Sequence, residues 1–244
     1  MVIVEPDEIG VPIPRGDRRT VHVARVLGKG TGDELSAGIA DGMAGTARVE
    51  SLGDQGMVLS FKPVAEPAPL RPVTLLLGFP RPIQARRILK DITSIGVARV
   101  ILSGTELGEK SYFKSDFFRG GDCRSALIEG AEQAGNPRLP RVETAWTLAR
   151  ALDLLDAGGM PPGARWALDP YRATIGLGQA PLSPADAGHG VVLAVGSERG
   201  WTDAELDLLA GRGFSMASLG DRILKSETAC IAAVSIVLAK LGWL

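Results

Sequence analysis

Residues 62–72 (KPVAEPAPLRP) place four prolines in eleven positions, and no other segment limits the fold as strongly. Proline fixes φ and donates no backbone hydrogen bond, so such a stretch can edge or end a sheet but cannot run through the interior of a helix or sheet. We read it as a stiff, extended linker. The periodicity of the sequence changes across it, which predicts two domains, residues 1–68 and residues 69–244.

Before the linker the pattern is β-like. Residues 20–27 (TVHVARVL) alternate apolar and polar side chains, and 47–52 and 56–61 are short segments of similar character. Glycine-rich turns, GKGTGDE and GIADGMAGT, separate them, so a small β-barrel is expected. After the linker, strands and helices alternate. Apolar runs at 73–77, 97–102, 165–168, 191–195 and 214–219 read as strands, the first of them buried on both faces. Residues 82–95 have helical periodicity, with Ile83, Leu89 and Ile92 on an apolar face and Arg86, Arg87 and Lys90 on a basic one. Residues 122–134 read as a helix stopped by Gly135 and Pro137. Residues 202–210 (TDAELDLLA) form a helix with Thr202 at its N-cap and acidic residues in its first turn, and 226–241 form the last helix. Loops are expected at 157–162 and 176–190. This alternation predicts an α/β domain with a mostly parallel sheet.

Composition excludes several classes. The two cysteines, Cys123 and Cys230, provide neither a disulfide framework nor a zinc cluster, and suit a reducing compartment. The opening MVIVEPDEIG is acidic where a signal peptide needs basic residues, and the longest apolar run, 230–239, is about half of the ~20 residues that span a bilayer. A cytoplasmic protein without membrane attachment is expected. The net charge is −1, but it is unevenly spread. Residues 71–141 carry 12 Lys and Arg against 7 Asp and Glu, whereas 1–70 carry 7 against 10 and 142–244 carry 8 against 11. The basic middle is either a footprint for a polyanion or a solvated helix face.

Common catalytic signatures are missing. No Gly-x-Gly-x-x-Gly fingerprint follows a strand, and there is no Walker A sequence and no Gly-x-Ser-x-Gly elbow. The two histidines do not form a metal pair, and no metal is expected: His22, in the strand at 20–27, reads as structural and His189 as exposed. Ligands of open α/β sheets bind where loops leave the carboxyl ends of strands. Three such exits stand out, at Asp169-Pro170-Tyr171, at residues 196–200 (GSERG) and at 220–228 (GDRILKSET).

These exits carry a resemblance. VVLAVGSERGW at 191–201, followed by TDAEL, is similar to the strand, GPEGG loop and helix of the SPOUT-superfamily methyltransferases that modify uridine N3 in small-subunit (16S) ribosomal RNA. SLGDRILKSETA at 218–229 resembles their most specific signature, LGxRILRxETA. IEGAEQAG at 128–135 resembles IEAAEQSGR, ITSIGV at 92–97 resembles ATELGV, and HVARVL at 22–27 with Gly32-Asp33 resembles HxxRVLR…GD. The resemblance spans nearly the whole chain in order. Departures fall at Ser197 and Arg199 in the GPEGG loop, at Asn136 and Asp91 in place of basic residues, and at Lys225 in place of an arginine.

The resemblance implies an N-terminal PUA-like β-barrel that helps hold RNA, and a SPOUT α/β domain whose C-terminal segment threads a trefoil knot, a rare topology. It implies a homodimer acting on 16S ribosomal RNA or the small ribosomal subunit with S-adenosyl-L-methionine as cofactor. Carried over position by position, the cofactor pocket would comprise Leu168, Asp169, Pro170, Val195, Gly196, Ser197, Glu198, Gly200, Leu219, Gly220, Ile223 and Leu224, closed by Thr228 and Ala229. Arg222 would stabilise the uridine anion formed on loss of the N3 proton, or an adjacent phosphate, since a guanidinium does not act as a base. Glu198 and Glu227 are candidate proton acceptors or orienting groups, Glu227 reading equally well as a carboxylate favoured at a helix N-terminus. Arg25, Arg81, Arg86, Arg87, Lys90 and Arg124 would meet RNA phosphates. A SPOUT enzyme with another RNA target, or a non-catalytic RNA-binding assembly factor, fits the same residues.

Overall fold

The structure, a computed structural model, describes residues 1–158 and 163–244. Residues 159–162, within the loop expected at 157–162, lie outside the described residues, while Ala157 ends a helix. The chain forms two compact units, Met1–Pro69 with Ile128–Leu139, and Leu70–Leu127 with Pro140–Leu244.

In the first unit, β1 (Val2–Val4), β2 (Glu34–Ile39), β3 (Ala44–Gly53) and β4 (Gly56–Ala65) form one sheet in that order. β1 runs parallel to β2 and the other pairs are antiparallel. Side chains two residues apart share a face of a strand. Leu35 and Ala37, Ala47 and Val49, and Met57 and Leu59 therefore point into a single core with Val2, Val4, Ile13 and Val23.

The strand expected at 20–27 is helical instead. α1 (Arg18–Val21) runs on into a wide π turn at His22–Val26. Asp17 caps it, its carboxylate accepting from the Arg19 N–H at 2.8 Å. Thr20 and Val23 are buried whereas Val21, Val26 and Leu27 are exposed, a spacing of three rather than two. The apolar–polar alternation in TVHVARVL is coincidental, and the cap together with the Arg19 anchor decides the conformation. His22 is consequently an exposed residue of a helical turn, not a structural histidine of a strand. The Arg19 guanidinium donates to both Glu8 oxygens at 2.6 Å, to Asp17 Oδ2 at 2.9 Å and to the Ile3 carbonyl at 3.3 Å, tying three segments together.

The proline-rich segment is only partly a linker. β4 continues to Ala65 and the next strand starts at Arg71, so only 66–70 lies between strands. Pro63 and Pro72 sit within strands but beside register shifts, where a missing N–H costs no ladder bond. The helix at 122–134 forms as expected, as α4 below, but its second half and the turn after it belong to the first unit. There Glu132 accepts from the Ile3 N–H at 3.0 Å and pairs with Arg18, Asn136 Nδ2 donates to the Ala68 carbonyl at 2.9 Å, and Asp41 accepts from the Leu139 N–H at 2.8 Å.

The second unit is built on seven strands, β5 (Arg71–Gly78), β6 (Val97–Ser103), β7 (Arg141–Ala145), β8 (Ala164–Leu168), β9 (Ile175–Gly176), β10 (Val191–Val195) and β11 (Ser215–Ser218). They lie in the order β7-β6-β5-β10-β8-β11-β9, and every pair is parallel. The last strands interleave: after β8 the chain goes out to β9, returns as β10 between β5 and β8, then inserts β11 between β8 and β9. All five residues of β10 are buried, as expected for a central parallel strand.

The helices are α2 (Pro82–Ile95), α3 (Asp116–Arg119), α4 (Asp122–Ala134), α5 (Leu148–Ala157), α6 (Asp203–Gly211) and α7 (Ser226–Lys240). α5 and α6 bury Leu152, Leu155, Leu206 and Leu209 against Leu76, Ile101, Val192 and Ala194 of the sheet. α2 packs on α7, and α7 on β10. α2 buries Ala85, Ile88, Leu89 and Ile92, but Ile83, expected on this face, is 63% exposed. β7 and α5 carry no boundary signal in the sequence, because VETAWTLARALDLLDA has no glycine or proline between strand and helix. The loop at 176–190 contains two short 3₁₀ turns, Leu177–Gln179 and Pro184–Gly188.

The Arg19 cluster predicts a loss of stability in acid. Burial alone would raise the Glu8 and Asp17 carboxyls, but hydrogen bonds and charge from Arg19, helped by backbone N–H donors, outweigh it and hold both below their ordinary values. Depressed carboxyl values contribute stability that is complete above the unfolded-state pKa and lost as pH falls through the folded values. Thermal melts followed by circular dichroism should therefore lose Tm steeply below about pH 5, and E8Q should have a lower Tm at pH 7 with a flatter acid limb. Parallel pH profiles for the two proteins would place the linked protons elsewhere.

Candidate functional site

The carboxyl ends of β8, β10 and β11 open onto one cavity of about 660 Å³. That volume lies in the ~300–1,000 Å³ range of small-molecule sites. Each exit shapes its loop differently.

After β8, Asp169 is buried, and its N–H donates to the Ala217 carbonyl at 3.1 Å. Its Oδ1 accepts from the Tyr171 and Arg172 N–H groups at 2.9 and 2.6 Å. This carboxylate holds the Asp169-Pro170-Tyr171 turn in place, and Arg172 carries the restraint on to Asp207 of α6 at 2.7 Å.

After β10, residues 196–200 form a tight turn in which the Gly200 N–H donates to the Ser197 carbonyl at 2.9 Å. Gly200 has φ +75°, a conformation that disfavours other residues. The turn lies directly on Gly78 at the end of β5, where an added Cβ would stand 2.5 Å from the Ser197 nitrogen. Glu198 reaches out of this turn and accepts from the Arg81 N–H at 2.9 Å, at the N-cap of α2. Its carboxylate thus satisfies a donor that the helix leaves open.

After β11 the chain passes through Gly220, at φ +113°, to α7 at Ser226. Arg222 and Ile223 are exposed on this segment and line the cavity, while Ala217, Leu219, Leu224 and Ala229 supply apolar wall.

Every residue assigned from the sequence to cofactor binding lines this cavity except Thr228, which is exposed on α7 and outside the lining. Arg222, Glu198 and Glu227 line it as well. Glu227 Oε1 lies 3.8 Å from Arg87 Nη1, a pair linking α7 to α2. Of the RNA-side candidates, Arg81 lines the cavity; Arg86, Arg87 and Lys90 follow along α2, and Arg124 is exposed in the first turn of α4. Arg25 is exposed on the helical turn of the first unit.

Sequence reasoning missed Gln84, Trp201 and Ser226 as lining residues. Trp201 directly follows the second exit and Ser226 lies within the third, so both could have been found from position, whereas Gln84 gave no signal because α2 is remote in sequence. These three also carry buried polar atoms without a protein partner, Gln84 Oε1, Trp201 Nε1 and Ser226 Oγ. Buried polar atoms are normally paired, so three unmatched ones lining one cavity fit a polar ligand. The arrangement suits binding and orientation rather than covalent catalysis. Burial, aided by the Glu227 charge, pushes the Cys230 thiol far above its ordinary value, so no thiolate is available from α7.

Residues 66–238 match the RNA methyltransferase domain family. A ribosomal RNA small subunit methyltransferase E of Treponema pallidum is 37% identical, over 91% of this chain and 83% of its own length. A ribosomal RNA small subunit methyltransferase E 1 of Borreliella burgdorferi is 30% identical over 99% of this chain and 98% of its own. The fold is shared with the ribosomal RNA small subunit methyltransferase E of Neisseria gonorrhoeae, solved bound to S-adenosyl methionine, at a TM-score of 0.74 and 23% identity over 98% of this chain and 97% of that one. With most of its length matched by the family and by relatives of this similarity, the chain belongs to the ribosomal RNA small subunit methyltransferase E family of RNA methyltransferases.

Proposed function

We propose that the protein is an S-adenosylmethionine-dependent methyltransferase that modifies uridine N3 in 16S ribosomal RNA. The observation that carries this reading is the cavity formed by three loops at the carboxyl ends of β8, β10 and β11, with unmatched polar atoms in its lining. The names of the relatives and the cofactor bound in the Neisseria structure support it.

The lining fits this cofactor. Leu168, Asp169, Pro170, Val195, Gly196, Ser197, Glu198, Gly200, Leu219, Gly220, Ile223, Leu224 and Ala229 would hold it, largely through backbone groups that glycines at 196, 200 and 220 leave accessible. When bound, the cofactor supplies a methyl group on a sulfonium sulfur for in-line displacement, so the protein contributes mainly alignment. Arg222, exposed at the cavity, is the group we assign to stabilise the N3 anion of uridine. Glu198, bonded to the Arg81 N–H, fixes the position of the second loop against α2. Glu227, facing Arg87, orients the start of α7.

On this reading the first unit is a PUA-like barrel that helps hold RNA, and Arg25, Arg86, Arg87, Lys90 and Arg124 meet phosphate. The interleaved order of β8 to β11 supports assigning α7 to the threaded segment of a trefoil knot. The enzyme acts as a cytoplasmic homodimer, and its boundary between RNA-holding and catalytic domains falls near residue 68.

The direct test supplies purified protein with methyl-labelled S-adenosylmethionine and small ribosomal subunits that lack the modification. Label recovered as 3-methyluridine is the expected result, and label in another nucleoside would move the substrate. R222A should lower turnover by at least about 100-fold while calorimetry finds cofactor affinity nearly unchanged, in the range seen when one transition-state donor is removed. G78A should act in the opposite manner. Its Cβ would push on the Ser197 backbone, so cofactor affinity should fall several-fold and Tm should drop, overpacking typically costing ~1–3 kcal/mol. Wild-type affinity in G78A would show that the second loop does not shape the cofactor site.

A further inference from the structure

A second cavity, of about 600 Å³, opens in the same unit at the carboxyl end of β6. Its wall is aromatic. Phe113 packs against Trp146 with ring centroids 3.5 Å apart and planes tilted by 31°, and Phe79 meets Phe113 edge-on at 4.9 Å. Phe79 is buried, so the stack is anchored in the core, yet Trp146 at its top is 59% exposed. A tryptophan so open costs hydrophobic free energy unless something covers it.

The backbone beneath the platform is closely packed. The Gly104 N–H donates to the Ala145 carbonyl at 2.9 Å, and an added Cβ on Gly104 would stand 2.0 Å from the Trp146 carbonyl oxygen. The end of β6 therefore holds the Trp146 backbone in close contact. Lys110 and Lys114 line the same cavity and are exposed. Thr105, about nine-tenths buried, also lines it, and its Oγ1 has no hydrogen-bond partner.

Arg81 connects this cavity to the first one. It lines the first cavity, and its Nε donates at 3.1 Å to the Tyr112 hydroxyl, in the short turn Tyr112–Lys114 that carries Phe113 and Lys114. Glu106, beside Thr105, accepts from the Thr202 hydroxyl at 2.8 Å, next to Trp201 of the first cavity.

We propose that this second cavity is a base-stacking subsite for the substrate RNA: an unstacked base neighbouring the methylated uridine packs on Trp146, with Lys110 and Lys114 on its phosphates. The inference rests on the proposed RNA methyltransferase function. The combination of exposed ring, flanking cations and an unpaired buried hydroxyl matches how proteins hold single-stranded RNA, where stacking tolerates any base and lysines track the backbone.

The test compares wild-type protein, W146A and W146F in two measurements. In the first, fluorescence anisotropy follows binding of a short fluorescein-labelled oligouridylate. In the second, methyl transfer to unmodified small subunits is split into KM and kcat, with cofactor affinity as a control. W146A should weaken oligonucleotide binding and raise KM by about ten-fold or more, whereas W146F, which keeps a stacking face, should stay near wild type. kcat and cofactor affinity should not change. Equal oligonucleotide binding by W146A and wild type, or no binding by wild type, would overturn the subsite. The two readings fail separately: absent methyl transfer by wild type alongside Trp146-dependent oligonucleotide binding would reject the catalytic assignment and keep the subsite.

Discussion

The placement of β10 between β5 and β8 is the arrangement on which the rest of the site depends. Its five buried residues pair in register with both neighbours, so its carboxyl end is pinned beside theirs. Parallel strands bring all their carboxyl ends to one edge of a sheet, where loops can converge on a ligand. Here the loops after β8, β10 and β11 meet around one cavity because β10 and β11 flank β8 on either side. With β10 at the edge of the sheet, the turn at 196–200 would not rest on Gly78 and Glu198 would not reach α2.

Carboxylates around the cavity are tied into its frame. Asp169 is occupied by two N–H donors of its own turn, and Glu198 by the N–H at the start of α2. Glu227 faces Arg87. A reaction that depends on alignment needs such fixed loops more than it needs a strong base. Arg222 differs from these in being exposed at the cavity on the last loop.

The two cavities also share one scaffold. Gly78 lies against both Ser197 and the Thr105 side chain, and Arg81 is joined through its backbone to Glu198 and through its side chain to Tyr112. The loops of the two cavities are thus tied to common residues. Glu205 adds a further tie, capping α6 through Thr202 while accepting from the Glu106 N–H at 2.9 Å. A buried carboxylate that is fully hydrogen-bonded in this way makes a stiff joint.

Short-range patterns in the sequence determined much of this protein. The helices at 82–95 and 122–134 have the bounds their periodicity and stop signals indicate, and Thr202 caps α6 as its spacing with Glu205 requires. The exit loops at 169–171, 196–200 and 220–228 were legible because apolar strands ending in glycine or Asp-Pro are local signals. Tertiary structure alone decided the rest. It anchored the helical segment at 20–27 through the Arg19–Glu8 pair, left Ile83 exposed on α2 and sent 128–139 back to the first unit through Glu132 and Asn136. It brought Gln84 to the cavity and packed Phe113 against Trp146, 33 residues apart in the chain. Hydrophobic periodicity reports which face of an element is buried but not which element covers it, and that choice rests on contacts between residues distant in sequence.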